Sequence, residues 1–159
     1  HKCSIPIICV GNIYLGGTGK TPVCIEIFSI LKTLNMNPVF IRKKYDSYQD
    51  EVNLQKQIGP VYQNKKRIEA VKEATQNKAN IAILDDGFQY LPIKGRLNLL
   101  LVDQTNPFGN RCLIPRGTLR EPVRHLSRAS YVFLTKCLLC MCFVDILNLA
   151  CLPIPPPAH

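Results

Sequence analysis

Residues 16–21, GGTGKT, combine the backbone and side chains needed to hold nucleotide phosphates. Glycines let the chain close around an anion with successive N–H groups turned inward. Gly16, Gly17, Thr18 and Gly19 would form that loop, Lys20 would reach the β- and γ-phosphates, and the Thr21 hydroxyl would ligate Mg²⁺. The general pattern asks for one more glycine, at the position of Tyr14, so Gly16 and Gly17 must carry the turn. Without a strand before it and a helix after it, the same hexapeptide would be an ordinary tight turn.

A second chemical feature lies downstream. The apolar run 81–84 ends in Asp85 and Asp86. An acid at the tip of a neighbouring strand can hold Mg²⁺ against the β- and γ-phosphates. Two adjacent carboxylates repel one another unless a cation or basic side chains sit close, which suits a metal site. The alternative is a pair of turn-forming aspartates before Gly87.

The elements that must position these groups are legible as periodic apolar runs. Strands are expected at 5–10, 39–41, 80–84, 97–102 and 131–135. After the glycine loop, Val23, Ile27, Ile30, Leu31 and Leu34 recur at helical spacing, with Pro22 in the first turn and Asn35, Asn37 and Pro38 as the stop. A second helix is expected at 65–76, with Ile68, Val71 and Ala74 inward. A short one starts near Glu121 and Pro122 and carries Arg124 and Arg128 on one face. Residues 43–64 are polar, contain Gly59 and Pro60 and show no clear period, so they read as a loop. Apolar strands separated by helices indicate an α/β fold of the P-loop NTPase kind. Its mainly parallel, five-stranded sheet would be covered by helices on both faces, with the site at the carboxyl ends of the strands.

Size and composition narrow the function. A chain of 159 residues supports one core and one domain. The net charge of +9 points to an anionic partner such as a nucleotide, a phosphorylated substrate or phospholipid headgroups. No aromatic RNA-binding signature or zinc-finger spacing supports nucleic acid as that partner. Cys9 and Cys24 fall on apolar strand and helix positions, where a free thiol acts as a small hydrophobe. Cys137, Cys140, Cys142 and Cys151 crowd the end of the chain without a second cluster to complete a zinc site. The longest apolar run, 137–152, is short for a membrane span and contains Asp145. A guanine-specific switch would need an aspartate that Leu134-Thr135-Lys136-Cys137 lacks.

Four blocks together resemble the tetraacyldisaccharide 4′-kinase (lipid A 4′-kinase) family. They are VGNIYLGGTGKTP at 10–22, Asp50-Glu51, LDDGFQYLP at 84–92, and NPFGNRCLIPRGTLREPVRHLSRAS at 106–130. The resemblance covers about residues 3–136. It implies transfer of the ATP γ-phosphoryl to the 4′-hydroxyl of a tetraacylated glucosamine disaccharide 1-phosphate, at the cytoplasmic face of the inner membrane. It implies ATP and Mg²⁺ as cofactors, and an acylated disaccharide phosphate lipid and a membrane surface as partners. Lys20 would contact the phosphates and Thr21 the metal, with Asp85 and Asp86 beside it. Asp50 matches the family's general base and Glu51 its acidic neighbour. Gln89, Arg120 and Glu121 fall in family site motifs, with Arg120 placed to neutralise phosphate charge.

Several positions depart from that pattern. A serine-arginine-glycine-tyrosine segment reads Arg42-Lys43-Lys44-Tyr45 here, which leaves Lys43 where the arginine belongs. The lid between Tyr45 and Asp50 is shortened, Val52 replaces a proline, and Tyr90 stands where many members have histidine. The chain opens at His1 without methionine and is expected to be a piece lacking the family's membrane anchor and its histidine-bearing second half. None of His1, His125 and His159 matches that histidine. Residues 1–136 therefore read as an incomplete nucleotide-binding kinase domain. Residues 137–159, without Lys, Arg or Gly, read as a non-native end rather than a membrane-contacting tail. On this reading the chain alone binds nucleotide and transfers little phosphate. The alternative is a non-catalytic, nucleotide-binding remnant of the family.

Overall fold

The computed structural model describes residues 3–17, 19–44, 49–93, 95–135 and 151–153. Thr18 and most of 137–159 lie outside them. Six parallel strands form the body of one sheet: β1 (Ile7–Gly11), β2 (Pro38–Lys43), β3 (Val61–Asn64), β4 (Ile81–Asp85), β5 (Leu97–Asp103) and β6 (Tyr131–Thr135). A short β7 (Cys151–Pro153) adds antiparallel to β6. The order is β3-β2-β4-β1-β5-β6-β7, so β1 lies between β4 and β5 with its side chains buried on both faces. That double burial explains why IICVG reads as a continuous apolar run.

Helices cover both faces. On one, Cys24, Phe28 and Leu31 of α1 (Lys20–Thr33) pack on Val10, Phe40, Ile83 and Leu101. The Phe28 and Phe40 rings stack with centroids 4.7 Å apart. On the other, Ala70, Val71 and Ala74 of α3 (Arg67–Gln76) pack on Cys9, Val39, Ile41 and Leu84. The parallel α/β architecture expected from the sequence is present, and its strand ends all reach the edge where the glycine loop leaves β1.

Three local expectations are corrected. The stretch 43–64 is not a loop: it holds α2 (Gln49–Ile58) and β3, which raises the sheet above five strands. Its period was hidden because the inward positions are Val52, Gln55 and Gly59, only one of them a large hydrophobe. Gly59 presses on Phe28, where a Cβ would come within 2.2 Å of the ring. The inward stripe of α1 is rotated from the expected one. Thr21, Cys24, Phe28 and Leu31 are buried while Ile30 and Leu34 are exposed, because this helix carries more apolar residues than one face can bury. Residues Val123–Arg128 form a 3₁₀-helix. Three residues per turn separate Arg124, which is exposed, from Arg128, whose guanidinium lies 4.5 Å from the Phe88 ring centre.

Candidate nucleotide and metal site

The glycine loop is shaped by backbone conformation. Gly16 and Gly19 hold φ of 135° and 73°, values that a Cβ disfavours, and at neither would a Cβ meet a neighbour within 4 Å. Gly19 caps α1 without a side-chain bond, so the first N–H groups of the helix stay open to an anion. The Asn12 amide closes the loop by donating to the Gly16 carbonyl at 3.3 Å. Tyr14, which departs from the general pattern, is buried, and its hydroxyl accepts from the Asp103 N–H at 2.6 Å. It pins the loop's first limb to the end of β5.

Register brings the second motif alongside. Val10 of β1 pairs with Asp85 of β4, so the loop after β1 and the acids after β4 leave the sheet side by side. Thr21 Oγ1 donates to Asp85 Oδ2 at 3.3 Å, and Gln55 Nε2 donates to the same oxygen at 2.9 Å. Arg42 Nη2 stands 3.5 Å from it and 2.5 Å from Glu51 Oε2, bridging the two acids. Burial pushes the Asp85 carboxyl above its usual range, with Arg42 acting against that shift. Its other oxygen, Oδ1, is buried with no hydrogen-bond partner among the described residues.

Asp86 turns the opposite way. Its φ of 53° is a left-handed conformation that aspartate tolerates, and its carboxylate meets a different set of partners. There Lys20 Nζ stands 3.6 Å away, and Arg120 Nη1 donates to both oxygens at 3.0 and 3.1 Å. Partial burial opposes ionisation, but Lys20 and Arg120 outweigh it and hold this carboxyl below its usual range. Adjacent aspartates thus acquire different characters, one toward the Thr21 hydroxyl and one toward the cations.

The other expected site residues divide. Arg120 is set by its own N–H donating to the Ile13 carbonyl at 2.7 Å, beside the bridge between Tyr14 and Leu119. Gln89 donates to the Asn12 carbonyl at 2.6 Å and accepts from Arg120 at 3.4 Å. Both therefore join the cluster, as does Glu51 through Arg42. Asp50 is exposed on the first turn of α2, and among the described residues no hydrogen bond joins it to the cluster. Glu121 is engaged elsewhere, by His125 Nδ1 at 2.6 Å and by Arg128.

Arg42, Gln55 and Arg67 were not anticipated from sequence as site residues. Arg42 carried one signal, its place at the carboxyl end of a strand. Gln55 carried none, since a glutamine in a polar stretch reads as solvent-exposed.

An Mg²⁺ ion takes one or two carboxylates, keeps several waters and leans on nucleotide phosphates. Thr21 and Asp85 meet that need, and the partnerless Asp85 Oδ1 is an oxygen suited to a metal or its water. Beside them, Lys20, the open α1 N-terminus and Arg120 supply the positive charge that phosphates require. This arrangement can bind a nucleotide polyphosphate and stabilise a phosphoryl group in transfer.

A family model described as tetraacyldisaccharide-1-P 4′-kinase matches residues 1–140. The chain belongs to that family. The tetraacyldisaccharide 4′-kinase of Pelagibacter ubique is 42% identical over 130 residues, covering 82% of this chain and 41% of the relative. That of Vibrio cholerae strain O395 is 31% identical over 151 residues, covering 83% and 45%. A crystal structure of LpxK from Aquifex aeolicus in complex with ATP superposes with a TM-score of 0.71 at 26% identity, over 85% of this chain and 49% of that one. The chain thus spans less than half the length of these 4′-kinases.

Proposed function

We propose that this chain is the nucleotide-binding part of a kinase that transfers the ATP γ-phosphoryl to the 4′-hydroxyl of a tetraacyldisaccharide 1-phosphate. One observation carries the reading. In a chain of the 4′-kinase family, Thr21 and Asp85 lie 3.3 Å apart while Lys20 and Arg120 converge on Asp86 beside them. Lys20, the α1 N-terminus and the loop of Gly16, Gly17, Thr18 and Gly19 bind the phosphates. Thr21 and Asp85 would hold Mg²⁺, which would supply neutralisation of phosphate charge. Arg120 is displaced from Asp86 onto the transferred phosphoryl group, and Gln89 keeps its guanidinium in place. Asp50 is the general base, and its exposed position on α2 leaves it open to an acceptor hydroxyl. Glu51 anchors that helix through Arg42.

The acceptor is a lipid, so the reaction is assigned to the cytoplasmic face of the inner membrane. No helix among the described residues is long and apolar enough to cross a membrane, so contact would be peripheral for this part. Residues 1–136 form the kinase domain on this reading, and 137–159 stand outside the family fold.

Calorimetric titration with ATP and Mg²⁺ tests the first half of the reading. Lys20→Ala should weaken binding by roughly 10- to 100-fold, since hydrogen bonds to a charged group contribute about 1.5–3 kcal/mol. Transfer of labelled phosphate to tetraacyldisaccharide 1-phosphate, by the protein that contains this chain, tests the second. Asp50→Ala should abolish transfer and spare ATP binding. ATP binding with no transfer by the unmutated protein would favour the non-catalytic remnant instead.

A further inference from the structure

The segment between β5 and β6 reaches the DDGFQ turn, residues 85–89, at two places. Arg120 holds Asp86 near its start. Arg128, the last residue of the 3₁₀-helix, lays its guanidinium 4.5 Å from the ring centre of Phe88. Phe88 is buried in one cluster with Ile13, Leu100 and Leu119, so the cation meets an aromatic face that the core already fixes.

Arg128 is itself held in place. Its Nη2 donates to Glu121 Oε2, which His125 Nδ1 also contacts at 2.6 Å, and the Glu121 side chain is 13% exposed. The Arg128 carbonyl accepts from Asn98 Nδ2 at 3.2 Å, which ties the end of the short helix to the start of β5. Its Nε is buried with no hydrogen-bond partner among the described residues. An arginine that served only solubility would turn that donor to water. Because Glu121 follows Arg120 directly, one pair of neighbours serves both contacts: Arg120 grips Asp86, and Glu121 steers Arg128 onto Phe88.

The residues flanking Phe88 are bonded to the limb that leads into the glycine loop. The Gly87 N–H donates to the Val10 carbonyl at 3.2 Å, and Gln89 donates to the Asn12 carbonyl at 2.6 Å. We infer that Arg128 is a positioning residue for phosphoryl transfer, which keeps the turn seated on that limb through Phe88 when Arg120 leaves Asp86. That departure belongs to the proposed kinase function, and the inference rests on it. Without nucleotide, Lys20, Arg120 and Arg128 all hold the turn. With nucleotide, the first two turn to phosphate and Arg128 remains. Glu121, which falls in a family site motif, then acts through Arg128.

The test is amide hydrogen exchange at Gly87 and Tyr90, whose N–H groups bond the turn to Val10 and to Gly87. It is run on the protein that contains this chain, with and without Mg²⁺ and a non-hydrolysable ATP analogue. With the analogue bound, Arg128→Leu should speed exchange at both amides roughly 5- to 30-fold over wild type, the loss expected for one partly buried cation–π contact. Without it the ratio should fall toward one, and β1 and β4 amides should not respond in either state. Arg128→Lys keeps a cation over the ring and should recover most of the protection. Glu121→Gln should give a weaker form of the Arg128→Leu pattern, and it decides the matter by the same ratio if Arg128→Leu fails to fold. In the transfer assay, kcat of Arg128→Leu should fall by a similar factor while ATP affinity holds. Equal acceleration with and without nucleotide, shared by β1 and β4, would make Arg128 a packing residue and overturn the inference. Wild-type exchange in both states, or an unchanged kcat, would overturn it too. An Arg120→Ala background needs no nucleotide. There Arg128→Leu should speed Gly87 and Tyr90 exchange even in a protein that transfers no phosphate, which would support the clamp while removing the kinase reading. No acceleration in that background would overturn the clamp at any level of activity.

Discussion

The Gln55 amide donates to Asp85 Oδ2 over 2.9 Å and so joins α2 to the tip of β4. Thr21 donates to the same oxygen, which leaves Oδ1 as the oxygen without a partner. Gln55 therefore fixes which carboxylate oxygen is free, while α2 carries Asp50 and Glu51 at its other end. Through Gln55, the helix that carries the expected base also touches the candidate metal site.

Gln55→Leu tests that link. Leucine keeps roughly the volume and the helix, and removes the donor together with an amide oxygen that is buried without a partner among the described residues. Metal-free nucleotide affinity should hold, while the Mg²⁺ concentration for half-maximal nucleotide binding should rise about three- to tenfold, the equivalent of one neutral-donor hydrogen bond. A fluorescent-nucleotide titration against Mg²⁺ measures this. An unchanged midpoint would reduce Gln55 to a packing residue.

Asp85 should make metal-free stability depend on pH in an unusual direction. Its carboxyl is raised in the folded state by burial, so the folded protein binds the proton more readily than the unfolded chain. Stability from this group is therefore greatest at low pH and is lost as pH rises from the ordinary carboxylate range through the raised value. Asp85→Asn should flatten that part of the profile and remove Mg²⁺ stabilisation of the ATP complex. Thermal unfolding across pH, in chelator and then with Mg²⁺ and ATP, reads both effects. An identical pH slope in the variant would contradict the buried-charge account.

Asp86 should act with the opposite sign. Although burial opposes it, Lys20 and Arg120 lower this carboxyl, so its contribution is present above the ordinary carboxylate value and is lost as pH falls through the lower folded value. Asp86→Asn should cost about 1.5–3 kcal/mol at neutral pH, the range for hydrogen bonds to charged groups. The Lys20→Ala and Asp86→Asn losses should fall short of adding in the double variant, because each removes the same contact. Strict additivity in denaturant unfolding would mean that the 3.6 Å pair is not an energetic one.

Most of this architecture was legible because the buried strands are apolar on both faces and because the glycine loop announces itself by residue type. The placement of Thr21 beside Asp85 followed from two motifs that both end strands. Three features were not legible. α2 hid behind Gln55, a fully buried polar residue whose partner, Asp85, is 30 positions away. The divergence of Asp85 and Asp86 depends on a single left-handed residue, which two aspartates before a glycine do not reveal. Arg67 looked like one more charge at a helix start, yet it is buried because the Asp86 carbonyl and Tyr90 receive it.

Gly11 offers a test of how closely the two motifs must approach. A Cβ there would lie 2.4 Å from Phe88 Cβ and 3.0 Å from the Phe88 N–H nitrogen, so the end of β1 and the turn after Asp86 pass at a distance that only glycine permits. The Gly87 N–H donates to the Val10 carbonyl at 3.2 Å in the same crossing. Since backbone is the obstacle, no side-chain rotation can relieve the clash. Gly11→Ala should force the DDGFQ turn away from the glycine loop and cost about 1–3 kcal/mol, as overpacking in a tight core does. Because the displaced turn carries Asp86 and Gln89, Mg²⁺-ATP affinity should fall as well. Gly95→Ala is the control: it precedes β5, at the sheet edge opposite the site, and a Cβ there would lie 2.5 Å from Asn98 Oδ1, so it should lower stability without touching ATP affinity. Thermal unfolding paired with ATP titration separates the two. A Gly11→Ala protein as stable as wild type and with the same ATP affinity would show that the crossing can widen without moving the site.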